Sequence, residues 1–424
     1  MPVTPAHFGV NAHWGNYDML PGGTFERSVD LLGATAIRWP GGSVTENLSP
    51  ADGTLAAAFD GAVGPDGIAP LREVAAFCVA KGRKLQLVAP TRHMTRASIA
   101  TWAHRVLRVD RDYPGLLDCI GIGNEYWGDG GTEAAYAAVA TLWVRALVAA
   151  GANALGIPIY VQAPEYWGTT APTAIASLLA LDVRPHVAGA DQHFYPGPLA
   201  HAISRDICFD KLDASFPASM GYRPNVSRWM SEWNMSSQAP VPVTGMESAT
   251  GLIAAFHQMI RRGVDRATVW SVNYQNQGMK LTGIASDGSV FVTPRGAAFR
   301  LLREHTMGCD AIDAHLATHP ACLSLSFGNA RQRTTFVCNT SAGNATVTAD
   351  TTTLGSVTIA ARKRLSWADN PATGGTETEA AQNAVGVITN TPAPIAPGIL
   401  RTTLAPGEIW MVSIWSGARD IPAT

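Results

Sequence analysis

The stretch Asp118-Cys119-Ile120-Gly121-Ile122-Gly123-Asn124-Glu125-Tyr126-Trp127 decides the fold. Its first five residues are short and largely apolar and follow a Pro-Gly turn at 114–115, the pattern of a buried strand. Helix-like sequence flanks it on both sides, over Ser98–Val109 and over the Ala-rich Thr132–Ala150. A short apolar strand between two helices belongs to a parallel sheet. Asn124 and Glu125 then fall where strand gives way to loop. In a (β/α)8 barrel that end of the strands is the catalytic face.

A second stretch, Arg228-Trp229-Met230-Ser231-Glu232-Trp233-Asn234, repeats the pattern, with Glu232 near its C-terminal end. The two glutamates are 107 residues apart. Three βα repeats of a barrel of about 250 residues occupy about 94, so they fit strands three apart. Between and around them, strands are expected at Phe8–Ala12, Ala34–Arg38, Lys84–Ala89, Pro158–Ala163, Val187–His193 and Arg266–Trp270. Helices are expected at Thr24–Leu32, Pro70–Lys81, Ala171–Leu181, Met246–Arg262 and Arg295–Glu304, with a less regular helical segment over 202–222. Eight such units predict an α/β fold, one TIM barrel over residues 1–308. From 309 the composition turns to Thr, Ala, Ser and Val, and strand-like alternation appears at Cys322–Phe327, Arg333–Asn339, Gly355–Ala360 and Glu408–Trp415. Residues 309–424 therefore read as a small all-β sandwich packed on the barrel. Ala372–Ala384 reads as a loop and Thr391–Gly398 as a Pro-rich connector.

Composition narrows the classes of function. The 424 residues are 46% hydrophobic, which suits a globular chain. Lys and Arg total 31 against 33 Asp and Glu, a formal charge of −2. No basic cluster exceeds Arg362-Lys363-Arg364, so nothing points to nucleic acid. No apolar run reaches the length of a membrane span. Met1-Pro-Val-Thr-Pro has no signal-peptide character, and the protein reads as cytoplasmic, with export or a trimmed N-terminus left open. The six cysteines, 78, 119, 208, 309, 322 and 338, form no metal-ligand spacing and read as free thiols, with the pair Cys309 and Cys322 left open. Oligomeric state is not legible.

Two carboxylates on one barrel mouth are what retaining glycoside hydrolysis needs. Glu125 is the candidate acid/base and Glu232 the candidate nucleophile; no cofactor and no metal is required. On strand 6, His193 and Tyr195 share a face because they lie two residues apart, and Tyr195 can donate to Glu232. Asn124 would hydrogen-bond the sugar's 2-hydroxyl. Arg38 at the end of strand 2 would orient Glu232 by a charged hydrogen bond. His93, Trp127, Trp233 and Trp270 complete the candidate substrate contacts. Trp14, Trp39, Trp127, Trp167, Trp233 and Trp270 all fall at or just after strand ends, and a mouth rich in Trp suits a carbohydrate, whose apolar faces stack on aromatic rings. Glu165 and Asp191 are further carboxylates able to replace one of the pair.

These segments resemble glycoside hydrolase clan A, whose members carry Asn-Glu at the end of strand 4 and a nucleophilic Glu at the end of strand 7; Asn124-Glu125 and Glu232 match. His193-Phe194-Tyr195 and Trp270 are also similar to clan features. Arg38-Trp39-Pro40-Gly41-Gly42, Gly123-Asn124-Glu125 and Glu232-Trp233-Asn234 resemble segments of the family 51 α-L-arabinofuranosidases, which also have a C-terminal β-sandwich. Ser231 and Trp39 depart from that pattern, which has Asp and Tyr there. The resemblance implies a retaining O-glycoside hydrolase acting on plant- or algal-type oligo- or polysaccharides, arabinofuranosidase-like. Rival readings are an endo-acting polysaccharide hydrolase of the clan, a non-catalytic sugar-binding barrel, and a metal-dependent hydrolase using His13, His93 and His193.

Overall fold

Eight short strands, each buried on nearly every residue, form the centre of the molecule: β1 Gly9–Asn11, β2 Ala36–Trp39, β3 Lys84–Ala89, β4 Leu117–Ile122, β5 Ile159–Gln162, β6 Val187–Phe194, β7 Ser227–Trp233 and β8 Arg266–Val269. They pair in parallel in chain order, and β8 closes on β1 with Gly9 opposite Thr268. A closed parallel barrel buries one strand face inward and the other under helices, so the strands need apolar residues on both sides. This computed structural model describes residues 1–14, 21–61, 70–204, 206–237, 245–273, 279–351, 357–368, 384–390 and 398–416.

Helices return the chain between strands, and their starts follow local chemistry. Thr95 and Thr132 accept backbone N–H bonds from Ser98 and Ala135 at the starts of helices Arg96–Asp112 and Glu133–Ala149. Gly33, at φ 68°, ends helix Thr24–Leu32 in the left-handed conformation that glycine favours. Helix Gly245–Arg261 is buried on almost every residue. An amphipathic helix on a barrel would expose one side; this one is covered a second time, by the sheets that follow.

Those sheets begin after helix Pro294–His305. A hairpin, β9 Thr282–Ile284 with β10 Val290–Val292, precedes that helix and is not foreseen in the sequence. The remaining strands are β11 Asp310–Ile312, β12 Ala317–Thr318, β13 Cys322–Gly328, β14 Gln332–Asn339, β15 Ala345–Asp350, β16 Val357–Ala368, β17 Val385–Asn390, β18 Ile399–Leu404 and β19 Ile409–Ser416. Six form the sheet β11-β13-β14-β19-β16-β17 and three the sheet β12-β15-β18. Alternation along β14 and β19 builds two cores from one sheet. Phe336, Cys338, Ile409 and Met411 join the barrel core, and Phe327 meets Phe256 of the buried helix at 6.0 Å. Val337, Trp410, Val412 and Ile414 face the small sheet, against Val347, Ala349, Leu400 and Leu404.

The fold is a TIM barrel followed by antiparallel sheets, as expected. The expected helix Ala171–Leu181 is only Ala174–Leu178, with Leu179 already extended. The segment 202–222 resolves into Leu199–Ser204, Ile207–Ala214 and a single turn at Ala218–Met220. Val44–Asn47 and Thr54–Asp60 add helices after β2. Most of the loop Ala372–Ala384 and of the connector Thr391–Gly398 lies outside the described residues. All six cysteines are free, Cys309 and Cys322 included. No helix among the described residues is long and apolar enough to cross a membrane.

Candidate active site

Strand β4 ends at Ile122, and Gly123 and Glu125 both turn to positive φ, 82° and 46°. Adjacent strand residues face opposite ways, so this break is what lets Asn124 and Glu125 serve one site. The left-handed conformation is unusual for a glutamate and persists only where surroundings fix it. They do: the buried carboxylate of Glu46 accepts the backbone N–H of Asn124 at 2.7 Å, and the N–H groups of Thr91 and Arg92 at 2.9 Å each. Glu46 thereby ties the loop after β3 to the end of β4.

Arg38, fully buried on β2, crosses the barrel. Its Nη1 donates to Glu232 Oε1 at 2.8 Å and to Asn11 Oδ1 at 2.7 Å, and its Nη2 donates to Asn124 Oδ1 at 2.7 Å. The last bond leaves the Asn124 NH2 as a donor. Trp229 supports the guanidinium at 5.7 Å from its ring centre. Tyr195 donates its hydroxyl to Glu232 Oε2 at 2.8 Å. His193 Nδ1 lies 2.8 Å from Glu125 Oε1 and 3.6 Å from Glu232 Oε2. One ligand atom from each of Glu125, His193 and Glu232 lies within 4.8 Å of the others. The geometry thus brings both candidate glutamates, Arg38, Asn124, His193 and Tyr195 together.

The surroundings of the two carboxyls differ. The Glu125 side chain is 35% exposed, that of Glu232 only 7%. Burial pushes the Glu232 pKa upward, but His193, Arg38 and the hydrogen bonds from Tyr195 and Arg38 outweigh it and hold Glu232 below the usual carboxylate range. Burial pulls the His193 pKa down, yet Glu232 and Glu125 carry it above its ordinary value. Burial and the two glutamates push the Tyr195 phenol well up, so it stays a donor. His13 lies against Trp270 at 5.6 Å, and burial lowers it to about 4 although Glu232 pulls the other way.

The other candidate residues divide. Trp127 is half-buried with its ring 6.1 Å from His193. Trp270 is 8% exposed at the end of β8. Trp233 is not at the mouth. It is fully buried and packs on Phe256 at 5.9 Å, because a residue next to the inward Glu232 must face outward, into the helix layer. Trp39 likewise packs into the core against Phe59 at 5.2 Å. His93 is exposed on the loop after β3, with no contact to either glutamate among the described residues. Asp191 is fully buried inside the barrel, raised by burial to about 6; without access to solvent it replaces neither carboxylate.

Glu46 and Asn11 are the site residues the sequence reading missed, and His13, named there only for a metal-dependent rival, lies beside Trp270 at the same mouth. Asn11 carried a signal, a polar residue inside an apolar strand; Glu46 sits in an irregular insert and carried none. Glu125, His193 and Glu232 form the one acidic and histidine group among the described residues whose spacing suits a metal ion. The Arg38 guanidinium, 2.8 Å from Glu232, opposes a dication there.

No protein-family model and no curated protein sequence matches the chain. Solved structures do match in fold. A family 51 α-L-arabinofuranosidase from Bifidobacterium longum superposes with a TM-score of 0.71 at 14% identity, over 97% of this chain and 96% of that one. A GH51 arabinofuranosidase from Xanthomonas axonopodis pv. citri gives 0.67 at 17% identity, over 98% and 97%. A GH30 endoxylanase from Clostridium papyrosolvens gives 0.55 at 14% identity, over 97% of each chain. At these identities the likeness is one of architecture, including the β-sheets after the barrel.

Proposed function

We propose that the protein is a retaining glycoside hydrolase of the clan A type, with Glu232 as nucleophile and Glu125 as acid/base. The observation that carries this reading is the placement of carboxylate oxygens from the two residues within 4.8 Å. Retaining enzymes hold their carboxyl groups about 5–5.5 Å apart, whereas inverting enzymes leave about 6.5–9.5 Å for a water. Ionised Glu232 attacks the anomeric carbon as Glu125 gives its proton to the departing oxygen, leaving a glycosyl ester on Glu232. Glu125 then takes a proton from water, the water oxygen attacks the anomeric carbon, and the ester bond breaks. Arg38 and Tyr195 position Glu232, His193 holds Glu125 beside it, and the Asn124 NH2 is placed to donate to the sugar's 2-hydroxyl.

The substrate is an oligo- or polysaccharide. The likeness to family 51 supports an arabinofuranosidase-like specificity. The GH30 likeness supports the rival, an endo-acting hydrolase, which a time course on polymers distinguishes because chain shortening then precedes monomer release. A panel of 4-nitrophenyl glycosides, beginning with the α-L-arabinofuranoside, identifies the sugar. Glu232→Ala is expected to abolish turnover of the active glycoside, and added azide to restore it with a glycosyl azide of inverted configuration. Unchanged activity in that variant would end the proposal, and sugar binding without hydrolysis by the wild type would favour a non-catalytic barrel.

A further inference from the structure

The loop after β5 carries an indole that the reaction as described does not use. Trp167 is 50% exposed. A single exposed aromatic needs no explanation by itself, but the backbone on both sides of this one is tied down. The Lys211 ammonium donates to the carbonyls of Glu165 at 3.0 Å and Gly168 at 2.5 Å. Tyr166, its neighbour, is buried and donates its hydroxyl to the Tyr195 carbonyl at 2.9 Å. The loop is therefore tied to the end of β6, whose Tyr195 side chain holds Glu232.

The ring is also placed with respect to the chemistry. Trp167 meets Trp127 edge to face, at 5.8 Å and 89°. Trp127 meets His193 at 6.1 Å and 76°, and His193 holds Glu125 at 2.8 Å. A line of rings thus starts at the acid/base and runs outward to solvent; no contact of either indole with Glu232 is found among the described residues. In the double displacement, the sugar being cleaved lies over the nucleophile, and the group it loses lies beyond the acid that protonates it.

We propose that Trp127 and Trp167 form the leaving-group subsite, a right-angled aromatic corner that stacks the sugar unit on the departing side of the bond. This rests on the hydrolase reading above and adds a preference: substrates whose leaving group is a sugar gain from the corner, and those without one do not. Trp167 is the specificity-determining member, because its exposed ring is available for a sugar face to cover. Covering an indole face contributes about tenfold to fiftyfold in kcat/KM.

The test uses two substrates of the sugar identified by the aryl-glycoside panel: its glycosyl fluoride, whose leaving group occupies no subsite, and the corresponding disaccharide. Wild type, Trp167→Ala and Trp167→Phe are compared by the ratio of kcat/KM on disaccharide to that on fluoride. The ratio is expected to fall about tenfold or more in Trp167→Ala, chiefly through KM, and to recover in part in Trp167→Phe. A ratio equal to that of the wild type in Trp167→Ala overturns the subsite while leaving the hydrolase reading intact. A wild type that turns over no glycoside of the panel overturns the hydrolase reading and the subsite with it.

Discussion

Tyr195→Phe isolates the hold on Glu232, the proposed nucleophile. The change deletes one hydroxyl and keeps the ring, so packing is preserved. The lost interaction is the 2.8 Å bond to Glu232 Oε2. A hydrogen bond to a charged group contributes about 1.5–3 kcal/mol, and 1.36 kcal/mol corresponds to one pKa unit. Removing it raises the Glu232 pKa by about 1–2 units. In the wild type, burial works to raise that pKa, but His193, Arg38 and the hydrogen bonds keep it below the ordinary carboxylate value. A carboxylate depressed in the folded state adds stability above its unfolded pKa of about 4.3 and loses it as pH falls through the folded value. The variant therefore also gives up part of that stability at neutral pH. The assay is kcat/KM against pH on an aryl glycoside, whose acid limb reports the free enzyme's essential base. The limb is expected to move up by about 1–2 units. An acid limb at the wild-type position would refute the assignment of Tyr195 as a group that holds Glu232 ionised.

Three further outcomes follow from the same contacts. Glu46→Gln replaces a carboxylate that accepts from Thr91, Arg92 and Asn124 with an amide having one acceptor oxygen; stability is expected to fall by about 2–4 kcal/mol in denaturant titration, with kcat/KM falling as Asn124 and Glu125 loosen. His13 and His305 are both lowered by burial to about 4, so the folded state favours the neutral rings; their contribution is complete above about 6.5 and is lost as pH falls toward 4. His305→Asn should accordingly reduce the slope of unfolding free energy against pH in that window by about 1.4 kcal/mol per unit. Phe327→Ala removes a fully buried ring that touches Phe256 and Phe336; it should cost about 3–5 kcal/mol, and calorimetry should still show one transition, because barrel and sheets share a core.

The barrel was legible because short apolar strands alternate with helices over some 300 residues, and β4 and β7 fell where the arithmetic of repeats put them. The candidate acid pair followed from strand ends alone. Periodicity also held the information that Trp233 points away from Glu232; a search for strand-end aromatics overrode it. Glu46 was illegible for a different reason. It sits in a short helix inside an insert after β2, and its role depends on three backbone N–H groups from two other loops. The sequence of helix Gly245–Arg261 shows apolar positions at helical spacing, the pattern of a one-sided helix, and only the six-stranded sheet explains why its other side, with Ser248, Thr250, His257 and Gln258, is buried too. The side-chain directions of loop residues such as His93 and Trp167 are set by tertiary contacts, and no local pattern encodes them.

The central claim is that two carboxyls this close perform a double displacement. Proton NMR of the first product released from an aryl glycoside tests it most directly. The proposal predicts a sugar with the anomeric configuration of the substrate, appearing before mutarotation. A first product of inverted configuration would contradict it.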